Sequence, residues 1–183
     1  MSEAVIRRAT TDDAARLSDV AERAFVQAFG HLYPPADLAR FLQDSYSVEQ
    51  HTKYLSDPNC AMWLVERDGE ALGYALAGRP CTLPHDDIQP EDGELKRIYL
   101  LPEAQNGGVG KRLIQTAFDW LEQNGPTTLW IGVYSQNFGA QRFYERLGFE
   151  KVGGYEFLVG NTRDPEFILR RDAAASPKAR TIA

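Results

Sequence analysis

Apolar residues along the chain switch several times between helical and strand spacing. A short run at residues 5 to 8 predicts a first strand. Apolar residues then recur every three or four positions across residues 17 to 28, and the same spacing returns at residues 38 to 42 and 48 to 55. The first third of the chain is therefore predicted to form one strand followed by three helices.

The middle of the chain carries the pattern of a β-hairpin. Two apolar runs of strand length, residues 61 to 66 and 71 to 77, flank the dipeptide Asp68-Gly69, which is typical of a two-residue hairpin turn. Residues 78 to 93 are rich in Pro, Gly and Asp and predict a loop. A further strand is predicted at residues 94 to 101.

The remaining elements alternate between helix and strand. Helical spacing covers residues 112 to 123 and 137 to 147, and runs rich in apolar residues predict strands at residues 127 to 134, 149 to 159 and 166 to 171. Alternation of this kind, with neither a repeat nor a linker, predicts a single α/β domain.

The length and composition fit one ordinary globular domain. We expect it to span residues 1–172 of the 183, with the small and polar residues 173–183 forming a flexible tail. The net charge of −6 argues against nucleic acid or an anionic membrane as the main partner. No apolar run approaches the ~20 residues that span a bilayer. Two cysteines give neither a disulfide framework nor metal-ligand spacing, so the expected location is cytoplasmic.

A glycine-rich turn between a predicted strand and a predicted helix is the main chemical signal. Such a turn points backbone N–H groups outward at a helix start, where they bind an anion such as a phosphate. The spacing is not that of a P-loop, because Gln105 stands where its first glycine is required and Arg112 follows Lys111. A dinucleotide fingerprint also fails, because Leu113 occupies its third glycine position.

The spacing Gln-x-x-Gly-x-Gly, formed by Gln105, Gly108 and Gly110, resembles the pyrophosphate loop of the GNAT acetyltransferases. The block from Asn137 to Phe149 and the strand that begins at Glu94 are similar to that family's closing motif and central strand. The resemblance covers residues 4 to about 171. It implies a single mixed, mostly antiparallel sheet of six to seven strands with splayed fourth and fifth strands, flanked by about four to five helices.

The resemblance also implies an acetyl donor, acetyl-CoA, and no metal. Pantetheine amides would pair with the open edge of the central strand, and an N–H near Leu100 would polarise the thioester carbonyl. The implied coenzyme contacts are Ile98, Tyr99, Leu100, Gln105, Asn106, Gly107, Gly108, Val109, Gly110, Lys111, Asn137 and Tyr144.

Two candidate catalytic residues follow from the resemblance. Tyr144 stands where the family places its general acid, and a phenol is mostly protonated at pH 7; alternatively, Tyr144 is only an aromatic residue on a helix face. Glu94 stands where the family often has a base acting through water, or it is a solvated carboxylate. Asn137 would bind the pantetheine arm, or it caps a helix.

Other residues are candidates for the acceptor pocket. His31 and Tyr33 lie in the break between two predicted helices and are expected to bind the acceptor, although His31 also suits an ordinary loop. His85 lies beside two acidic residues in the long loop, which could attract an amine or simply be solvated. Cys60 and Cys81 lie in no motif that would make either a carrier of acetyl.

The function implied is acetyl-CoA-dependent N-acetyltransfer to a primary amine of a small molecule. Residues 129 to 137, followed by 157 to 160, look most like the bacterial polyamine acetyltransferase branch, although Ser135 departs from its usual acidic or aromatic residue. The alternative acceptors are a protein N-terminus, a lysine or an antibiotic amine. A further alternative is a non-catalytic acyl-CoA sensor. A homodimer is left open.

Overall fold

The computed structural model describes residues 2–174, which form one mixed sheet with helices on both faces. The predicted tail from residue 175 onward lies outside the described residues. The strands are β1 (Val5–Arg8), β2 (Cys60–Arg67), β3 (Glu70–Gly78), β4 (Gly93–Leu100), β5 (Leu129–Tyr134), β6 (Glu150–Val159) and β7 (Thr162–Arg171). The α-helices are α1 (Ala14–Phe29), α2 (Pro35–Tyr46), α3 (Val48–Ser56), α4 (Val109–Leu121) and α5 (Phe138–Arg146).

The seven strands lie in the order β1-β2-β3-β4-β5-β7-β6. All neighbours pair antiparallel except β4 and β5, which pair parallel. This arrangement confirms the predicted fold, a mixed and mostly antiparallel sheet. Within residues 2–174, no helix is long and apolar enough to cross a membrane.

The sheet opens between β4 and β5. These strands pair only at Gly93 with Leu129 and at Glu94 with Trp130, although they continue to Leu100 and Tyr134. Beyond the pairing, each strand presents an edge to the gap. The splay predicted for the fourth and fifth strands is therefore confirmed.

Two apolar layers cover the faces of the sheet. The layer under α4 includes Leu113 and Phe118 together with Tyr144 of α5. The other layer contains α1 and α2 residues such as Phe25 and Tyr46, packed against β2 and β3. Helices with one apolar stripe pack in this way because burying that stripe removes apolar surface from water.

An irregularity in β4 decides which face each of its side chains reaches. The register with β3 shifts between Leu76, opposite Arg97, and Ala77, opposite Leu95. The extra residue, Lys96, is a bulge, which changes the alternation of side chains along the strand. As a result, Ile98 packs on the α4 side and Tyr99 on the α1 side.

Several element boundaries differ from the sequence-based expectation. Helix α4 begins at Val109 rather than at residue 112, so the end of the glycine motif is already helical. Strand β7 begins at Thr162 rather than at residue 166 because it pairs along the whole of β6. Ser47 caps α3 as predicted by accepting a hydrogen bond from the Gln50 N–H.

Candidate active site

A cavity of about 620 Å³ lies where β4 and β5 diverge. Its walls come from α1, β4, β5, α5, β6 and β7, so residues far apart in sequence meet there. Aromatic side chains form much of the wall: Phe25, Phe29, Tyr33, Tyr46, Tyr54, Tyr99, Tyr134, Tyr144, Tyr155 and Phe157. The charged residues on the wall are Glu94, Lys96, Arg97, Asp164 and Glu166.

The glycine-rich turn lies at the start of α4 on the protein surface. Gly107 and Gly108 have φ of +83° and +76°, a left-handed conformation that only glycine adopts readily. Gly108 caps the helix, whose first bond to it runs from the Arg112 N–H to the Gly108 carbonyl. The N–H groups from Gly108 to Lys111 therefore have no partner within the helix, as an anion site requires.

Some of the predicted coenzyme contacts can offer only a backbone group, whereas others present a side chain. Val109 buries its side chain in the core, so only its N–H faces the turn. Gln105, Asn106 and Lys111 are exposed at the turn. Gly107, Gly108 and Gly110 do not line the cavity, whereas the predicted contacts outside the turn do, as does Gln105: Ile98, Tyr99, Leu100, Asn137 and Tyr144.

The open edge of β4 presents Leu100 to the gap. The Leu101 N–H donates to the Leu72 carbonyl on β3 at 2.8 Å. Because backbone groups alternate in direction along a strand, the N–H and carbonyl of Leu100 point away from β3, towards β5. The Leu100 carbonyl accepts a hydrogen bond from Gln105 Nε2 at 2.9 Å, which leaves the Leu100 N–H as a donor into the gap.

Tyr144 projects from α5 into the cavity. Its side chain is buried against Phe143 and Phe149, and burial raises the pKa of its hydroxyl above the usual range. Among the described residues, the hydroxyl makes no hydrogen bond. A protonated phenol whose O–H has no partner can donate a proton to a leaving group. An aromatic residue that served only in packing would not need a hydroxyl.

Asn137 holds the N-terminus of α5. Its Oδ1 accepts a hydrogen bond from the Ala140 N–H at 3.2 Å, so the capping role is confirmed. The residue also lines the cavity. The two predicted roles therefore fall on one position.

Glu94 lies inside the cavity wall with a relative exposure of only 5%, so the solvated alternative is wrong. Its Oε2 accepts hydrogen bonds from the Thr82 N–H at 2.8 Å, from Thr82 Oγ1 at 2.9 Å and from Lys96 Nζ at 2.7 Å. Three donors therefore converge on one carboxylate oxygen of Glu94.

Two further carboxylates, Asp164 and Glu166, reach the cavity from β7. Tyr33 donates its hydroxyl to Asp164, and Tyr155 donates its hydroxyl to Glu166 at 2.6 Å. A Cβ placed on Gly132 of β5 would lie 3.3 Å from Glu166 Oε2, so that carboxylate lies directly over the strand that borders the gap. Burial raises the pKa of Glu166.

Asp164 and Glu166 were not predicted from the sequence as site residues. Their signal was the spacing of two, which places both on one face of a strand, but the predicted strand began only at residue 166. Their tyrosine partners lie on other elements and could not be assigned without the pairing of β6 with β7.

The structure places only one of the two predicted acceptor-binding residues in the cavity wall. Tyr33 lines the cavity as expected. His31 is exposed on the short turn after α1 and is not part of the cavity wall, so the structure does not place it with the other site residues. The turn directs the apolar side of its neighbours inward and leaves the imidazole in solvent.

The other nucleophilic and loop candidates lie away from the cavity. Cys60 and Cys81 are buried, and burial raises the pKa of their thiols to about 11 and about 12. His85 packs its ring at 5.0 Å from that of Trp130, outside the cavity wall. Within residues 2–174, no group of three His, Cys, Asp or Glu side chains is arranged to hold a metal ion.

The strand order, the gap beside a parallel strand pair and the glycine turn at the next helix define the GNAT class of acyltransferases. The model of the acetyltransferase (GNAT) family matches residues 21–149, and the chain belongs to this family. By class, the protein is an N-acetyltransferase.

Individual relatives agree with this class. An uncharacterised N-acetyltransferase of Mycobacterium bovis is 33% identical over 164 residues, covering 87% of this chain and 97% of the relative. The PaiA N-acetyltransferase of Thermoplasma acidophilum, solved in complex with coenzyme A, has a TM-score of 0.73 at 20% identity, covering 93% and 99% of the two chains. The ribosomal-protein-S18-alanine N-acetyltransferase of Escherichia coli has a TM-score of 0.69 at 19% identity, covering 97% and 98%.

Proposed function

We propose that the protein transfers acetyl directly from acetyl-CoA to a primary amine of a small molecule. The observation that carries this proposal is the cavity at the gap, where the free hydroxyl of Tyr144 and buried carboxylates line the same space beside an open strand edge. Direct transfer needs a proton acceptor for the amine and a proton donor for the thiolate, and this wall offers both.

The chain fits acetyl-CoA along a path from the surface to the cavity. The unpartnered N–H groups at the start of α4 suit the pyrophosphate. The edge of β4 suits the pantetheine amides, which would pair with it as an added strand. The Leu100 N–H then points to where a thioester carbonyl would lie, and a donor there stabilises the oxyanion of the tetrahedral intermediate.

Acetyl transfer proceeds by attack of the neutral amine nitrogen on the thioester carbonyl carbon. A carboxylate removes the amine proton, the C–S bond breaks, and Tyr144 returns a proton to the departing thiolate. Glu94 is the base expected from the sequence, but three donors already hold its carboxylate. Glu166 is the better candidate, because among residues 2–174 its carboxylate accepts a hydrogen bond only from Tyr155, and burial raises its pKa.

Polyamine-like compounds are the first acceptor class to test. Three carboxylates on the cavity wall, at Glu94, Asp164 and Glu166, attract a cationic amine, and the aromatic rings can contact it through their faces. The resemblance of residues 129 to 137 to the polyamine branch supports the same class. A peptide N-terminus is the alternative acceptor, and a non-catalytic sensor is the alternative class.

The test is thiol release from acetyl-CoA with a panel of amines, including spermidine and short peptides with a free N-terminus. We expect release with small primary amines and identification of the N-acetyl product by mass spectrometry. Greater thiol release with the peptides would indicate that the acceptor is a protein N-terminus. Tight binding of acetyl-CoA without release from any amine would establish the sensor instead.

A further inference from the structure

Arg97 is a half-buried cation that has no role in the transfer steps proposed so far. It lies on β4, two residues before Tyr99, on the face covered by α1 and α2. Its guanidinium stacks over the ring of Tyr46 at 4.4 Å and lies 5.7 Å from that of Tyr54. Its one hydrogen bond to a described residue runs from Nη1 to the Ser45 carbonyl at 3.2 Å.

No carboxylate among residues 2–174 lies within 4 Å of the Arg97 guanidinium. A guanidinium has five N–H donors, and even partial burial of a cation without an anion carries a desolvation cost. Neither Nε nor Nη2 belongs to the sealed, unpartnered polar atoms of the described residues, so both remain reachable from a cavity. The side chain therefore offers the paired donors that bind a carboxylate in two-point fashion.

Arg97 borders two cavities at once. It lines the main cavity with Tyr99 and Glu166, and it also lines a second cavity of about 510 Å³ between α2 and the end of β6. The second cavity contains Asp37 and Asp44 of α2. The coenzyme's phosphates belong at the start of α4, under the opposite apolar layer, so they cannot supply an anion to Arg97.

We propose that Arg97 binds a carboxylate of the acceptor, so that the acceptor is an amine that also bears a carboxylate. This inference rests on the proposed function for the amine end. Within the small primary amines, it replaces polyamine-like compounds with amines that bear a carboxylate as the first acceptor class. Asp164 and Glu166 face the ammonium group, and Arg97 faces the carboxylate at another point of the same cavity. A carboxylate fits better than a phosphate, because a dianion would be repelled more strongly by the carboxylates nearby.

The test compares amines that differ only by the carboxylate. The pairs are ornithine with putrescine, lysine with cadaverine, and 4-aminobutyrate with propylamine. In at least one pair, we expect the wild-type kcat/KM of the acid to exceed that of its decarboxylated partner by about 10-fold or more, the range of a hydrogen bond to a charged group.

Substitution of Arg97 isolates its contribution. Arg97→Gln should remove the preference by lowering kcat/KM for the acid about 10-fold or more while changing that of the partner amine little. Arg97→Lys keeps the charge but loses the two-point geometry, so it should restore part of the preference. Activity towards the partner amine reports folding within the same sample. Arg23→Gln, at an exposed arginine of α1 outside both cavities, is the matched control and should keep the full preference.

Calorimetric binding of the acids to the protein saturated with coenzyme A separates this inference from the proposed function. Binding that depends on Arg97 without turnover of any amine would remove the proposed function but keep the carboxylate site. A wild-type preference for the decarboxylated partner in every pair, or equal losses for both members in Arg97→Gln, would overturn the assignment of Arg97. The assignment would also be overturned if activity with phosphoethanolamine depended on Arg97 while activity with none of the carboxylates did.

Discussion

Tyr144 combines burial with a hydroxyl that has no partner among the described residues. Since burial raises the pKa of this phenol, it stays protonated at neutral pH and can donate to a thiolate. Tyr144→Phe keeps the packing against Phe143 and Phe149 and removes only the donor.

We expect Tyr144→Phe to lower kcat by roughly 10²-fold or more, with little change in acetyl-CoA affinity. Steady-state kinetics and coenzyme titration measure the two effects separately. Unchanged turnover would exclude Tyr144 as the acid. Phe143→Leu, at the neighbouring residue of the same helix, controls for altered packing.

Protonation of the base should lower kcat/KM on the acidic side of its pH profile. Because burial raises the pKa of Glu166, this carboxylate takes up its proton at a higher pH than an exposed one, and activity is lost as pH falls through that raised pKa. We expect Glu166→Gln to lower kcat/KM by about 10²-fold and to remove this acidic limb.

Glu94→Gln is the matched comparison. If Glu166 is the base, the Glu94 variant keeps the acidic limb even though it loses the negative charge that pairs with Lys96. A limb that disappears in Glu94→Gln and persists in Glu166→Gln would reverse the assignment.

The glycine turn acts as one element with the start of α4. A Cβ at Gly108 would meet no neighbouring atom. Glycine is therefore required there by the positive φ and not by a lack of space. A β-branched residue cannot adopt this φ without strain. Gly108→Val should therefore distort the turn and misdirect the N–H groups that would hold the pyrophosphate.

We expect Gly108→Val to reduce acetyl-CoA affinity by at least about 10-fold, the loss of a charge-assisted hydrogen bond. Gly69→Val is the control, because Gly69 has a φ of +83° and open surroundings in the hairpin between β2 and β3. It carries the same backbone strain far from the site, so it should lose stability and keep coenzyme affinity. Normal binding by folded Gly108→Val would refute this position for the pyrophosphate.

At the scale of elements, much of the fold could be predicted from spacing. The hairpin followed from Asp68-Gly69, and the cap of α5 followed from Asn137, because turns and caps depend on a few local residues. The bulge at Lys96 could not be predicted, because it depends on the register between β3 and β4. That register decides that Arg97 lies on the face of the sheet covered by α1 and α2.

An ion-pair network connects distant parts of the molecule at the edge of the sheet. Arg7 of β1 binds Asp13, just before α1, at 2.7 Å, and Glu66 of β2 at 2.7 Å. The hydrogen bond from Arg7 is the main cause that lowers the pKa of Asp13 to about 2.

Because of this lowered pKa, the free energy of unfolding depends on pH in the acidic range. The stabilisation by Asp13 is complete above the unfolded pKa of about 4 and is lost as pH falls towards about 2. Since Arg7 is partly exposed, we expect Asp13→Asn to cost about 1 kcal/mol at pH 7 and progressively less below pH ~4. Denaturant unfolding across this range measures the difference. Asp12→Asn, at an exposed neighbour, should have little effect, and an equal loss in both variants would contradict the specific pair.

The amino-acid sequence by itself determined the helices and strands, the glycine turn and the family, because each depends on spacing within a short segment. Only the tertiary structure decided the composition of the cavity wall. Glu94, Tyr144, Asp164 and Glu166 lie on three elements, β4, α5 and β7, and their meeting depends on strand order and on the gap between β4 and β5. Tertiary packing also left His31 in solvent and placed Arg97 at the cavity without a carboxylate partner among the described residues, since burial and ion pairing are properties of the folded chain.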